Sequence, residues 1–265
     1  MAVRLIATDL DGTLLRSDSS VSARARAALA AAEEAGLVVV FVTGRPPRWM
    51  APVVEATGHR GLAVCANGAV LFDLHEGTIV HEHHLDAALA ADLVERLHAA
   101  LPGLAFAVER GFDFAHEAAY RLMWESASQQ LAEAELAEML ATPMAKLLAR
   151  HDTLAPDEFI AAATPVIGDL ATVTYAGDDG LLEISAAGVT KAFALERLAA
   201  ERGIDATEVV AFGDMPNDLP MLAWAGHAVA MADAHPDVLA AADEITATND
   251  EDGVAVVIER LLSER

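Results

Sequence analysis

The sequence is poor in cysteine and in positive charge. Cys65 is the single cysteine among 265 residues, so no disulfide can form within the chain and a disulfide-stapled secreted scaffold is excluded. Lysine and arginine total 17 against 41 aspartate and glutamate, a formal charge of −24. That imbalance excludes nucleic-acid binding through a basic face, which needs clustered Lys and Arg to neutralise phosphates. It also argues against docking on anionic lipid. Long apolar runs are missing too, since the most hydrophobic segment, Leu37–Val42, falls far short of the roughly 20 residues that cross a bilayer. Nor does the amino terminus read as a signal peptide, because the apolar stretch Leu5–Ala7 meets Asp9. Together these absences predict a cytoplasmic protein with neither nucleic acid nor membrane as partner.

What the sequence does have is material for a core. Hydrophobic residues make up 54% of it, and its length allows one large or two modest domains. The first 45 residues read as a βαβ unit. An apolar strand Val3–Thr8 is followed by an Ala-rich helix capped by Ser22 and stopped at Gly36, then by the strand Val38–Val42. Unbroken apolar strands joined by a helix predict a parallel sheet covered on both faces. A third strand, Leu62–Ala66, ends at Asn67-Gly68, a turn signal before the apolar run Ala69–Phe72.

From about Glu82 the pattern changes to helices punctuated by short strands. Helices are expected at Ala87–Ala100, Ala127–Leu140 and Pro156–Thr164, with strands near Leu104–Val108, Lys146–Ala149, Leu170–Tyr175 and Leu181–Ile184. After Lys191 the first pattern returns, with helices at Ala192–Arg202, Asp218–Ala225 and Pro236–Ala241, strands at Val209–Phe212 and Ala228–Met231, and a last helix from Val254. The fold class is therefore α/β: a Rossmann-like, doubly wound parallel-sheet core from residues 1–80 and 186–265, interrupted by an α+β insert over 81–185.

Chemistry concentrates where the core strands end. The first strand runs into Asp9-Leu10-Asp11-Gly12-Thr13. Residues two apart on a strand share a side, so both carboxylates would emerge together at its carboxyl edge, where open α/β sheets bind ligands. Two such charges repel, and call for a shared proton or a metal cation. The second strand ends in Thr43-Gly44-Arg45, whose hydroxyl and free N–H groups suit a phosphoryl oxyanion. Lys191 opens a helix, where the macrodipole disfavours a cation and a bound anion would resolve the conflict. The strand Val209–Phe212 runs into Gly213-Asp214-Met215-Pro216-Asn217-Asp218, hard oxygen ligands of the kind Mg²⁺ prefers.

These four segments, in this order, resemble the haloacid dehalogenase (HAD) superfamily of phosphohydrolases, and the placing of the insert resembles its Cof-type branch (subfamily IIB), whose α/β cap is of the C2B type. Asn67-Gly68 and the closing Asn249-Asp250-Glu251-Asp252-Gly253 are similar to that branch as well, whereas Ala232-Asp233-Ala234 stands where it often has Gly-Asn-Ala. The resemblance implies that Asp9 is a nucleophile forming an aspartyl-phosphate, with Asp11 as general acid and base. It implies Mg²⁺ on the Asp9 carboxylate, the Asp11 main-chain carbonyl and Asp214, with Asp218 supporting them. It further implies that Thr43, Gly44 and Lys191 hold the phosphoryl oxygens, and that Asn217 orients Lys191 or the phosphate.

Elsewhere the plainer readings prevail. His75-Glu76, His81-Glu82 and His116-Glu117 each begin a zincin-like pair, but no second histidine follows at the required position. The cluster His81, His83 and His84 reads as a polar face. Trp49 and Trp124 read as packing residues and Cys65 as a small core residue, whereas Arg45 and Arg48 could touch substrate, although arginine after a strand is more often a solvated or ion-paired surface group. Arg110, Tyr120, Arg121, Trp124 and His151 lie in the insert, where a cap would meet the organic part of a substrate. The expected function is a Mg²⁺-dependent phosphatase acting on small phosphorylated metabolites, with sugar phosphates foremost. A phosphomutase and a non-catalytic ligand-binding protein of the same fold are the alternatives.

Overall fold

The computed structural model describes residues 3–122, 131–151, 153–175 and 180–265. The chain divides into two compact units, one of Met1–His81 with Thr190–Arg265 and one of Glu82–Val189.

The first unit is built on an eight-stranded sheet, in the order Glu244–Ile245, His227–Ala230, Val209–Gly213, Leu5–Thr8, Val38–Val42, Leu62–Cys65, Val70–Asp73 and Thr78–Glu82. The six strands from Glu244–Ile245 to Leu62–Cys65 are parallel neighbours, and Val70–Asp73 returns antiparallel to the last of them. Leu5, Ile6 and Ala7 have no exposed surface, as expected of a central strand covered on both faces. Full burial of a side chain such as Ile6 is worth about 1.5–3 kcal/mol. The helix Ala23–Glu34 starts where Ser22 accepts the Ala25 N–H and buries Ala25, Ala28, Leu29 and Ala32, one stripe at helical spacing. The sequence carried no clear signal for the helix Met50–Thr57, for the edge strands Thr78–Glu82 and Glu244–Ile245 or, in the second unit, for the strand Asp113–His116.

The second unit is a six-stranded sheet in the order Ala171–Thr174, Leu181–Ala186, Lys146–His151, Leu104–Arg110, Asp113–His116 and Leu131–Glu133. One face, with Phe106, Val108, Leu147, Leu182 and Ile184, packs with Leu93 and Leu97 of the helix Ala87–Ala100 and Phe159 of the helix Pro156–Ile167. Lys146 is buried and ion-paired to Glu183 and, at 3.6 Å, to Glu109. Arg110 donates to the carbonyls of Pro143 and Met139, Tyr120 is buried under the Arg150 guanidinium, and the His151 ring accepts the Leu154 N–H. All three serve the unit's own structure. Trp124 lies outside the described residues.

The helix expected at Ala127–Leu140 is corrected. Residues 127–130 lie outside the described residues, and the rest forms the strand Leu131–Glu133 and a single helical turn, Leu136–Met139. Phe114 and His116 pair with Leu131 and Glu133 in a parallel ladder, so tertiary pairing overrides the helix propensity of this Leu-, Glu- and Ala-rich run. No helix among the described residues is long and apolar enough to cross a membrane.

Candidate active site

Register brings the site together. Thr8 lies opposite Phe41 on one side and Phe212 on the other, so Asp9, Thr43 and Asp214 leave the sheet at one carboxyl edge, all within the first unit. The Asp9 N–H donates to the Phe212 carbonyl at 3.0 Å, which ties the chain as it turns. Gly12 follows with φ +78°, and a Cβ there would stand 2.2 Å from Asp214 Oδ2. Glycine thus permits both the turn and the approach of Asp214.

Lys191 sits at the centre. Its side chain is 1% exposed, and Nζ donates to Asp9 Oδ1 and Asp218 Oδ1, each at 2.6 Å. The conflict between this cation and its helix start is therefore met by the protein's own carboxylates, while Thr190 caps the helix by accepting the Phe193 N–H. Asp218 is fully buried and its Oδ2 accepts the N–H groups of Asp214 and Met215 at 3.0 and 3.1 Å. Both its oxygens are committed, which makes it a brace between Lys191 and the Asp214 turn. Asp214 Oδ1 accepts the Thr13 hydroxyl at 2.7 Å.

The electrostatics follow from this crowding. Burial pushes the Asp9 carboxyl well above the usual carboxylate range; Lys191 opposes the shift, and Asp218, Asp214 and Asp11 add to it. Burial and then Asp218 push Asp214 up to about 7, against the Thr13 hydrogen bond and Lys191. Lys191 itself is raised: burial disfavours its charge, but the Asp218 and Asp9 carboxylates more than compensate. Ligand oxygens of Asp9, Asp214 and Asp218 lie within 4.8 Å of one another. One lysine thus faces three carboxylates. Asp9 Oδ2 and Asp214 Oδ2 have no hydrogen-bond partner among the described residues. A divalent cation fits this set, because it would supply the missing positive charge to two free hard oxygens.

Asp9 and Asp11, expected to emerge together, point to different partners. The Asp11 side chain is 56% exposed and is gripped by Arg45 through Nε–Oδ2 at 2.7 Å and Nη2–Oδ1 at 2.5 Å. It stands outside the group of three carboxylates. Although burial works against its charge, Arg45 is raised by the hydrogen bonds and charge of Asp11. Thr43 is buried, and its hydroxyl oxygen accepts the Arg45 N–H at 3.0 Å. Asn217 Nδ2 donates to Asn67 Oδ1 at 3.2 Å, while Lys191 Nζ is held by Asp9 and Asp218, and a Cβ on Gly44 would lie 3.1 Å from the same Asn67 oxygen. Sequence reasoning weighed Arg45 and noted Asn67 as a turn residue, but made neither a site residue. Their signals were present, an arginine two residues past Thr43 at a strand end and an Asn-Gly turn closing the next strand.

Comparison with known proteins finds matches along nearly the whole chain. A family model described as haloacid dehalogenase-like hydrolase matches residues 6–258. The chain is 31% identical to the phosphatase YwpJ of Bacillus subtilis, with 98% of this chain and 100% of that protein aligned. It is 30% identical to the pyridoxal phosphate phosphatase YbhA of Escherichia coli, over 97% and 98%. Among solved structures, a haloacid dehalogenase-like hydrolase from B. subtilis superposes with a TM-score of 0.84 at 28% identity, covering 98% of this chain and 100% of that one.

Proposed function

The chain belongs to the haloacid dehalogenase-like hydrolases, and from that premise we propose that it is a Mg²⁺-dependent phosphatase of small phosphorylated metabolites, sugar phosphates foremost, working through an aspartyl-phosphate. One observation carries the reading: Asp9 is a buried carboxylate with one oxygen held by Lys191 and the other without a partner among the described residues, beside Asp214.

In this reading an Asp9 carboxylate oxygen attacks phosphorus in line, forming an O–P bond as the ester P–O bond breaks. Asp11 gives its proton to the departing alkoxide, then takes one from a water that attacks the aspartyl-phosphate, releasing orthophosphate and restoring Asp9. Thr43, Gly44, Lys191 and Asn217 hold the phosphoryl oxygens, and Asp218 keeps Lys191 in place. Asp9, Asp214 and the Asp11 main-chain carbonyl would hold Mg²⁺, which supplies positive charge for the phosphoryl oxygens. Most of the gain comes from positioning and charge neutralisation, since phosphoryl transfer leaves the protein little else to stabilise.

The formal charge of −24 repels phosphorylated ligands at long range, so these local donors act within about a Debye length, ~8 Å at physiological salt. The Glu82–Val189 unit is read as the C2B cap that selects the organic part of the substrate. A cytoplasmic location completes the proposal, supported by the single, buried cysteine.

The test is a panel of phosphorylated metabolites assayed for released phosphate with and without Mg²⁺, with Asp9→Asn as control. Mg²⁺-dependent release that vanishes in the variant is expected. Isomerised product instead of free phosphate would assign a phosphomutase, and no turnover on any member would favour a ligand-binding protein.

A further inference from the structure

The turn Ala66–Gly68, joining the strands Leu62–Cys65 and Val70–Asp73, adopts a backbone that L residues avoid. Its φ angles are +52° at Ala66, +54° at Asn67 and +102° at Gly68. Three successive residues in the left-handed region, two of them not glycine, carry strain that persists only where the surroundings enforce it. All three are buried.

The surroundings are the phosphoryl-binding groups. The Ala66 N–H donates to the Arg45 carbonyl at 2.9 Å and the Asn67 N–H to the Thr43 carbonyl at 3.0 Å. Gly68 lies on the peptide that opens the Lys191 helix, so closely that a Cβ would stand 2.0 Å from the Thr190 carbonyl oxygen. Asn67 Oδ1 accepts from Asn217 Nδ2 at 3.2 Å, and a Cβ on Gly44 would lie 3.1 Å from the same oxygen. One turn thus meets the Thr43–Arg45 loop, the start of the lysine helix and Asn217.

Asn217 is 7% exposed, and its Oδ1 has no partner among the described residues. An empty buried acceptor is costly, and is tolerated where the orientation of the group serves something else. Here one Nδ2 proton is committed to Asn67, which fixes the amide plane and sends the second Nδ2 proton in a set direction. Glycine would suit the backbone at position 67 better. Asparagine tolerates the left-handed region and also brings a carboxamide.

We infer that Asn67 is a positioning residue: its carboxamide fixes Asn217 so that the remaining Asn217 donor meets the transferred phosphoryl group in one geometry. This rests on the reading that Thr43, Gly44, Lys191 and Asn217 hold the phosphoryl oxygens.

The test separates stability from activity. Asn67→Gly relieves the backbone, so the melting temperature holds or rises, while kcat/KM for p-nitrophenyl phosphate with Mg²⁺ falls on the order of tenfold to a hundredfold. Affinity for inorganic phosphate, read by titration calorimetry, weakens with it. Asn67→Asp keeps an acceptor for Asn217 but adds a negative charge beside the phosphoryl site, so KM rises more than kcat falls. Asn67→Gly combined with Asn217→Ala is no slower than Asn217→Ala alone, because the first residue acts through the second. Three results overturn the inference: kcat/KM of Asn67→Gly within about twofold of the native value, effects of the two substitutions that multiply, or a melting temperature that drops in step with activity. Asp9→Asn in the same assay separates the two claims. Turnover in that variant removes the proposed function and this inference with it, whereas an inert Asp9→Asn beside a fully active Asn67→Gly removes only the positioning role.

Discussion

Replacing Lys191 by methionine keeps most of the side-chain volume and deletes a cation that donates to two carboxylates at 2.6 Å. Lys191 is 1% exposed, Asp9 6% and Asp218 0%, so no water replaces it. The cost arises less from the lost bonds than from the charges left behind. Removing one partner of a buried ion pair destabilises by about 3–5 kcal/mol. Each kcal/mol lowers the melting temperature of a chain of this size by about 2–4 °C, so Lys191→Met melts on the order of 10 °C below the native protein in chelator. Adding Asp218→Asn removes one of the stranded charges, and the double variant recovers part of the loss. The deficit also shrinks on acidification toward pH about 5, because protonation neutralises carboxylates whose affinity for protons has risen. Calorimetry on the native, single and double variants measures all three effects. A single variant melting within about 2 °C of the native protein, with no recovery in the double, would refute the view that this lysine balances the site.

Other expectations follow from the same reasoning. Asp214→Asn keeps the Thr13 contact but lowers the charge of the metal pocket, so a Mg²⁺ titration of activity shifts to higher concentration; an unshifted titration contradicts the assignment. His59 is 2% exposed, beside Glu33 at 2.8 Å, and burial holds its pKa below the ordinary 6.5 despite that carboxylate. The unfolded chain therefore binds the proton more readily than the fold does. The His59 contribution is complete above about pH 6.5 and is lost as pH falls toward the folded value. Melting temperatures between about pH 8 and 5 should fall less steeply in His59→Gln than in the native protein, and equal slopes would exclude His59 as the cause.

Much of the core was legible because local and global signals coincide there. Leu5–Thr8 is an unbroken apolar run ending in Asp9, and Ser22 and Gly36 bracket an Ala-rich stripe, so pattern, cap and stop agree. The helix break at Leu131–Glu133 was hidden, since it depends on pairing with Asp113–His116 rather than on propensity. Within the site, the residue types at the strand ends announced oxyanion and cation chemistry, but not who pairs with whom. Two aspartates at strand spacing suggested one shared site, yet the turn through Gly12 hands Asp9 to a lysine 182 positions away and Asp11 to an arginine 34 away. Asn217 faces Asn67 across 150 positions. Such pairings are set by the register of the sheet and by the closeness of Gly44 to the Asn67 side chain and of Gly68 to the Thr190 carbonyl, quantities that no local window of residues contains.

In the proposed mechanism the phosphoryl group passes through Asp9. Acid-quenching the enzyme during turnover with Mg²⁺ and a substrate, followed by peptide mass spectrometry, should find one phosphoryl group on the peptide that carries Asp9, absent in Asp9→Asn. A phosphoryl group on another side chain, or steady turnover with none trapped on the protein, would contradict it.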